Sequence, residues 1–299
     1  HIPVIAISAQ KLEKHPGMKW TPKLLKHLII GVNYGDALMN VLYRVRPYEK
    51  EPGSVQALYE KWVAKGKETA YKGSFRQFRK DMKQLVREFD ELPLTDEKKP
   101  RVGLVGEILV KFSPDANNRI VELIEKEGGE AVMPSLLDFM LYCAYNTKYK
   151  AKYLEGSVKS ALLSKLVIDL LEWTRKPLRK ALAESKRFDP PSYIDDTAKA
   201  AKEVVSLGNQ AGEGWFLTGE MLELMKEGVN NIVCMQPFAC LPNHITGRGA
   251  LKEIKRQHPK SNIVAVDYDP GASESNQINR IKLMMSVAKK RLRNEESSK

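Results

Sequence analysis

Val102-Gly103-Leu104-Val105-Gly106 is a short apolar run between polar neighbours, which is typical of a strand in a buried sheet. A helix is predicted over residues 120–127, and Gly128-Gly129 stops it. Glu130-Ala131-Val132-Met133-Pro134 then predicts the next strand. The two strand starts are about 30 residues apart, which is the length that a strand–helix–strand crossover needs.

The same layout returns later in the chain. Asn231-Ile232-Val233-Cys234-Met235 predicts a strand and residues 236–247 a long loop. A helix is predicted over residues 250–257, before a last strand at residues 262–267. Two such units predict an α/β fold with a doubly wound, mostly parallel sheet and right-handed crossovers.

The rest of the chain has mainly helical patterns. Residues 157–208 predict two or three helices, which we interpret as a helical insertion at about residues 150–210 within an α/β domain spanning residues 100–299. A final helix is predicted over residues 277–293. Residues 1–92 form a separate, mostly helical segment in this interpretation.

Within that first segment, one strand is expected at residues 1–7 and helical sequence over residues 21–48. Ser74 opens a further helix, because Ser74 and Gln77 have the spacing of a capping box and a stripe of apolar residues follows.

Composition excludes some classes of protein. The 299 residues carry a net charge of +12, but Lys and Arg alternate with Asp and Glu along helices, which is typical of solvated surfaces. Anionic small molecules such as CoA are favoured over nucleic acid as partners, because the sequence contains no nucleic-acid-binding motif. The sequence contains no run of about eighteen apolar residues, so no membrane-spanning helix is predicted. The chain begins without Met or a signal peptide, so we expect a fragment of a longer cytoplasmic protein.

Three cysteines are the most distinctive chemical groups. Cys234 ends a predicted strand, Cys240 lies in the following loop, and Cys143 comes after the second strand of the first unit. An odd count without a secretion signal favours a reducing compartment over disulfides. Thiolates on loops that meet at one sheet edge are suited to an iron–sulfur cluster. The alternative for Cys234 is a small core residue.

Four loops are predicted at the carboxyl ends of strands, where open parallel sheets bind ligands: residues 107–118, 135–143, 236–249 and 268–276. In these loops or at the strand ends before them we select four cleft candidates: Glu107, His244, Asp267 and Asp269. The two aspartates could serve as acid–base or cation-binding groups, and His244 could ligate a metal. In the alternative interpretation, His244 is a hydrogen-bonded structural group, and Asp269 or Ser273 caps the final helix.

Thr246-Gly247-Arg248-Gly249 comes directly before a predicted helix. Amide groups at a helix start, together with the Arg248 guanidinium, would suit a phosphate. Glycines are also needed in tight turns that bind no ligand, so the sequence does not decide between an anion-binding site and a structural turn.

The motifs in order resemble the C-terminal, dehydratase-like region of acyl-CoA dehydratase activase-related proteins, of the 2-hydroxyacyl-CoA dehydratase and activator family. The resemblance spans nearly the whole chain and is carried by the following segments: Tyr34-Gly35-Asp36, Arg46-Pro47-Tyr48-Glu49, Gly103 to Ile108 with Asn117-Asn118, Leu137-Asp138-Phe139, Val233 to His244, Gly247-Arg248-Gly249 and Val266 to Ser273.

This resemblance implies a [4Fe–4S] or related cluster in the intact protein. It also implies a partner, an ATP-binding activase domain in the same or another chain, that drives a low-potential electron into the cluster. An acyl-CoA would be the substrate. The ATPase portion and the earlier cysteine-bearing region of such proteins have no counterpart in these 299 residues, so the fragment is not expected to be active alone. A non-redox module that binds CoA-like anions or docks a partner domain is the alternative.

Overall fold

The computed structural model describes residues 21–154, 156–269, 271 and 273–297. Within these residues one parallel sheet is formed by β1 (Arg101–Gly106), β2 (Glu130–Val132), β3 (Asn231–Gln236) and β4 (Asn262–Asp267), in the order β2-β1-β3-β4. The predicted parallel α/β sheet is therefore confirmed.

One strand is shorter than expected. β2 ends at Val132 rather than at Pro134, and a proline has no N–H with which to continue a ladder of hydrogen bonds. The strand expected at residues 1–7 lies outside the described residues.

Helices cover both faces of the sheet. β1 leads through α4 (Ile108–Phe112) and α5 (Ile120–Lys126) to β2, and β3 leads through α10 (Leu251–Gln257) to β4. Two more helices pack on the sheet: α9 (Gly214–Lys226) and α11 (Glu274–Ser297). Apolar residues of α5 and α11 pack on one face, and those of α9 and α10 on the other.

The strand order reverses at the centre of the sheet. The chain moves from β1 outward to β2 on one side and from β3 outward to β4 on the other. A crevice is expected at the carboxyl ends of β1 and β3, because the connections leave that point in opposite directions.

A second apolar core lies in the helical segment. Helices α1 (Pro22–Val45), α2 (Ser54–Lys72) and α3 (Phe75–Asp90) pack against the C-terminal part of α7 (Val158–Ala183). The Ser74 hydroxyl caps α3 as predicted, accepting from the Gln77 N–H at 3.2 Å.

Sequence patterns did not indicate α2. It carries only four buried residues: Val55, Trp62, Gly66 and Thr69. Too few apolar residues recur at helical spacing for the sequence alone to predict this helix.

The predicted loop at residues 135–143 is wrong. Helix α6 (Leu136–Tyr153) begins there, and α7 and α8 (Ile194–Ala201) follow it in the helical insertion. The start of α6 is stabilised from α1, because the Asp36 carboxylate accepts hydrogen bonds from Leu136 N (2.8 Å) and Leu137 N (3.0 Å). That partner is about a hundred residues away, so local sequence cannot reveal it.

Two other loops are shorter than predicted. α4 occupies part of residues 107–118, and α11 begins at Glu274 rather than at Gln277. The Ser273 hydroxyl accepts from Asn276 N at 3.4 Å, in agreement with its interpretation as a cap. Among the helices of the described ranges, none is both long and apolar enough to cross a membrane.

One charged group joins the helical segment to the sheet. Glu130, at the start of edge strand β2, is fully buried. It forms ion pairs with Arg44 of α1 and Arg101 of β1 and accepts from the Tyr48 hydroxyl at 2.7 Å. These contacts cover the outer edge of the sheet.

Candidate functional site

Cys234 lies inside the core. Its side chain is fully buried among the apolar residues between the sheet and α9. Space around the thiol is tight, since a Cβ atom added to Gly247 would lie 3.1 Å from Cys234 Sγ and 2.7 Å from Leu217 Cδ2. Burial raises the pKa of this thiol to about 12. These contacts favour the core interpretation of Cys234.

Cys240 lies in the loop after β3 and is partly exposed. The loop turns sharply there, because Cys240 N donates to Pro237 O at 3.2 Å and Ala239 has a positive φ of 59°. This turn places Cys240 just beyond the carboxyl end of β3. Burial raises the pKa of Cys240, the backbone N–H of Asn243 opposes that rise, and the Glu213 and Glu107 carboxylates add to it.

Two carboxylates, those of Glu107 and Glu213, are held at the start of α4. Glu107 follows β1 directly; its N–H donates to Met235 O of β3 at 3.0 Å, and its side chain caps α4 through Val110 N at 2.9 Å. Glu213 accepts from Ile108 N at 3.1 Å. Burial and the charge of Glu107 raise the pKa of Glu213. Sequence analysis selected Glu107 but missed Glu213, which precedes α9 and belongs to no motif.

Cys143 lies in the helical insertion. It is exposed on α6, whose Tyr142 hydroxyl donates to Gly212 O at 2.8 Å and so joins this helix to the segment that carries Glu213. Partial desolvation raises the pKa of the Cys143 thiol, and the Glu213 carboxylate adds to the rise. Cys143 and Cys240 therefore share an acidic neighbour, whereas Cys234 faces the core.

A separate polar cluster forms at the ends of β3 and β4. Gln236 Nε2 donates to Asp267 Oδ1 at 2.7 Å and lies 3.4 Å from the His244 ring. Nδ1 of that ring is 3.0 Å from Cys240 O. Arg248 approaches the other oxygen of Asp267 at 3.5 Å. His244 and Asp267 are therefore close together, in agreement with the structural interpretation of the histidine.

Asp269 lies slightly farther out. It lines a shallow pocket with Asp267, Phe238 and Gln277, at the start of α11. This pocket lies beyond the ends of β3 and β4 rather than between β1 and β3. The two predicted aspartates therefore share one small surface depression.

The predicted anion loop is largely occupied by its own contacts. Thr246 and Gly247 are buried in a wide helical turn, and the Thr246 hydroxyl donates to Pro242 O at 2.9 Å. Arg248 pairs with Asp267, and Gly249 continues the turn into α10. No feature of this loop points to a phosphate, and the anion site stays a prediction.

Two buried amides in this region have polar atoms without hydrogen-bond partners in the part of the chain that the structure describes. Asn243 is fully buried, and neither its Oδ1 nor its Nδ2 is paired. Gln236 Oε1 is unpaired as well. Buried polar groups are usually satisfied, so this loop has unused hydrogen-bonding capacity.

The cysteines do not assemble a complete metal site. Within the described ranges no three or more His, Cys, Asp or Glu side chains are arranged to hold a metal ion. The cluster on Cys143, Cys234 and Cys240 therefore stays a prediction. Comparison of the chain with family models, with curated proteins and with solved structures found no match.

Proposed function

We propose that this chain is the electron-acceptor module of an acyl-CoA dehydratase activase-related protein, in which Cys240 supplies a thiolate to an iron–sulfur cluster completed by ligands outside the chain. One observation carries the proposal: Cys240 is partly exposed on a sharp turn at the strand-order reversal, beside Glu107 and Glu213. The motifs around it, from Val233 to His244, are those that carry the family resemblance.

The acidic surroundings of Cys240 suit a metal ligand better than a nucleophile. A nucleophilic cysteine needs a lowered pKa and positively charged neighbours. Here burial and the two carboxylates raise the pKa of the thiol instead. A bound metal cation reverses the effect of the carboxylates. The thiol that coordinates the metal is deprotonated, and nearby negative charge then stabilises the cation.

A cluster held by this chain alone does not fit. Four ligands are the common requirement, and Cys234 is enclosed in the core between β3 and α9. Cys143 is the natural second thiolate, because it shares the neighbour Glu213 with Cys240. The remaining ligands then come from another segment or another chain that covers the crevice.

The same resemblance supplies the other partners in this proposal. An ATP-binding activase domain is the electron donor, an acyl-CoA is the substrate, and a reducing cytoplasm keeps the three cysteines free. The alternative, a non-redox module for CoA-like anions, has less support, because Arg248 already pairs with Asp267.

The test is anaerobic purification of the full-length protein, followed by iron and sulfide analysis. Cys240→Ala is expected to lose most of the iron, and Cys143→Ala part of it. Cys234→Ala is the matched control and should keep its iron, since its sulfur faces the core. Circular dichroism verifies that each variant is folded. A full-length protein without iron, or a Cys240→Ala variant with a full complement, would show that the proposal is wrong.

A further inference from the structure

A groove lies between the exposed sides of α3 and α7. Its volume is about 390 Å³, and sites for small ligands usually have volumes of roughly 300–1,000 Å³. We call it the α3–α7 groove. Two aromatic residues, Phe75 and Trp173, line it together with four cations: Arg79, Lys83, Lys176 and Lys180. The groove therefore combines an apolar surface with positive charge.

Two contacts fix how the helices run beside each other. The rings of Phe75, at the start of α3, and Trp173 lie 5.5 Å apart between centroids. Asp90, at the end of α3, accepts from the hydroxyl of Ser185, just after α7, at 2.9 Å. The two helices therefore run in the same direction along the groove, with the aromatic pair at one end.

The four cations lie beyond this aromatic pair. Arg79 on α3 and Lys176 on α7 follow it by about one helical turn, and Lys83 and Lys180 follow one turn later. At a rise of about 1.5 Å per residue, these residues lie roughly 5–12 Å along the helices from the aromatic pair. Two pairs of cations, one turn apart, therefore line opposite sides of the groove.

Three of the four cations have no counter-charge. Within the part of the chain that the structure describes, Arg79, Lys83 and Lys176 form no ion pair and no side-chain hydrogen bond. The Lys180 ammonium lies 3.8 Å from Glu184, the one carboxylate among the described residues that line the groove. Like charges four residues apart on a helix repel each other. An anion bound between the two helices would remove this repulsion.

The acidic residues of α3 do not neutralise the groove, because their partners lie on another helix. Asp81 is fully buried and pairs with Lys65 of α2 at 2.9 Å. Glu88 pairs with Lys61 of α2 at 2.8 Å. Helix α3 therefore directs carboxylates towards α2 and leaves its cations in the groove.

The aromatic end provides a surface for a planar ring. Trp173 is 57% exposed although it packs beside Phe75. Nucleic-acid bases stack on such side chains, and phosphates bind where several Lys and Arg side chains converge. A simple anion would make no use of the indole, and an apolar ligand would leave the cations unpaired. A base joined through a sugar to phosphates uses both parts of the groove.

The far end of the groove limits the length of the ligand. Glu184 lies one turn beyond Lys180, and Arg87, further along α3, pairs with Glu91 at 2.9 Å. A single-stranded nucleic acid needs positive charge that follows its backbone. The cations of this groove extend over only about two helical turns, which suits a single nucleotide rather than a strand.

We propose that the α3–α7 groove binds a nucleoside diphosphate, with its base stacked on Trp173. The two successive phosphates lie between the two pairs of cations, Arg79 with Lys176 and Lys83 with Lys180. This inference goes beyond the proposed electron-acceptor role and is independent of it, because it uses neither the cysteines nor the crevice.

The first test measures binding of adenosine diphosphate, pyrophosphate and adenosine to the 299-residue chain by isothermal titration calorimetry at physiological salt. Adenosine diphosphate is expected to bind tightest. Trp173→Ala should weaken it by about tenfold or more and leave pyrophosphate unchanged. Tyr153→Ala is the matched control, because Tyr153 is 48% exposed on α6, outside the groove. Absence of binding, or equal affinity for adenosine diphosphate and pyrophosphate, would overturn the proposal.

A second test addresses the cations. Lys83→Ala and Lys176→Ala should each weaken adenosine diphosphate and pyrophosphate severalfold, because each removes a charge beside the phosphates. Lys255→Ala, at an exposed position of α10, should change neither. Circular dichroism verifies that each variant is folded. An equal loss in Lys255→Ala would show diffuse attraction by the basic chain instead of a site. A single-stranded oligoadenylate that binds more than about tenfold tighter than adenosine diphosphate would exclude a single nucleotide as the ligand.

Discussion

The Lys111 ammonium lies 2.6 Å from the Glu220 carboxylate, and the two side chains are only 2% and 4% exposed. Lys111 belongs to α4, which follows β1, and Glu220 belongs to α9, which precedes β3. The ion pair therefore joins the two helices whose ends carry Glu107 and Glu213. Burial raises the pKa of Glu220 to about 7, although Lys111 opposes that rise.

Removal of one charge from this pair should be costly. Lys111→Met leaves the Glu220 carboxylate buried without its counter-charge, and we expect a loss of about 3–5 kcal/mol in the free energy of unfolding. The double variant Lys111→Met/Glu220→Leu should recover most of that loss. Urea unfolding of the two variants measures both values. A single-variant loss below about 1 kcal/mol would mean that the pair contributes no more than an exposed ion pair does.

Stability should depend on pH through Glu220. Its pKa is raised from 4.5 to about 7 on folding, so the folded chain binds the proton more tightly than the unfolded chain. The stability from this proton is fully present below pH 4.5 and is lost as the pH rises to about 7. Glu220→Gln should reduce the slope of unfolding free energy against pH in this window by up to about 1.4 kcal/mol per pH unit.

Urea unfolding at several pH values between 5 and 8 gives the slope for the wild type and Glu220→Gln. Glu253→Gln is the control, since the pKa of that exposed carboxylate is lowered to about 2 and it does not titrate in the window. Equal slopes for all three proteins would contradict the assignment to Glu220.

Gly106 should tolerate no side chain. Its φ is 152°, and an added Cβ would lie 2.0 Å from the backbone oxygen of Met235. That oxygen belongs to the neighbouring strand, so relief requires β1 and β3 to separate. We expect Gly106→Ala to lose on the order of 3 kcal/mol or to remain unfolded.

Gly35→Ala is the matched control in thermal unfolding. It is exposed within α1, and an added Cβ would meet nothing within 4 Å. A gain of about 0.5–1 kcal/mol is expected from the higher helix propensity of alanine. Equal stability of the two variants would mean that the strand contact at Gly106 is looser than described.

The three thiols should react with iodoacetamide in the order of their exposure. Cys143 is exposed, Cys240 is intermediate and Cys234 is buried. Burial also raises the pKa of Cys234 to about 12, which leaves little thiolate at neutral pH. Peptide mass spectrometry against time should show Cys143 first, Cys240 second and Cys234 only after urea is added. Labelling of Cys234 in the folded protein at the rate of Cys143 would contradict its place in the core.

Asp36 should control the start of α6. Asp36→Ala leaves the N–H groups of Leu136 and Leu137 without their buried acceptor, and we expect a loss of about 1–3 kcal/mol. Hydrogen exchange should accelerate in the first turn of α6. Asp115→Ala is the control, because the Asp115 side chain is 93% exposed. Unchanged exchange at Leu136 and Leu137 in Asp36→Ala would show that Asp36 does not act as a cap.

Part of the site follows from local sequence. The apolar runs of β1 and β3, with crossover-length segments after them, predict parallel strands. Residues that come directly after such strands then lie at one edge of the sheet. Glu107 and Cys240 were selected for this reason: Glu107 follows β1 directly and its N–H donates to Met235 O of β3, and Cys240 lies in the loop after β3.

The side to which Cys234 points was not predictable in the same way. Successive residues of a strand face opposite sides, so its sulfur faces either a cleft or a core, depending on what covers that face. Here α9 and the turn that contains Gly247 cover it. Which helix covers a strand depends on packing between distant segments and leaves no local pattern.

The sequence by itself determined the four parallel strands and the α/β class, because periodicity and turn residues act over a few neighbours. Only the tertiary structure decided that Glu213 accepts from Ile108 N, that Asp36 starts α6 and that one face of α7 is exposed. These relationships join residues far apart in the chain or depend on the packing of whole helices. These interactions are stabilised by burial and charge in the assembled fold. The spacing of residues within one segment carries no information about them.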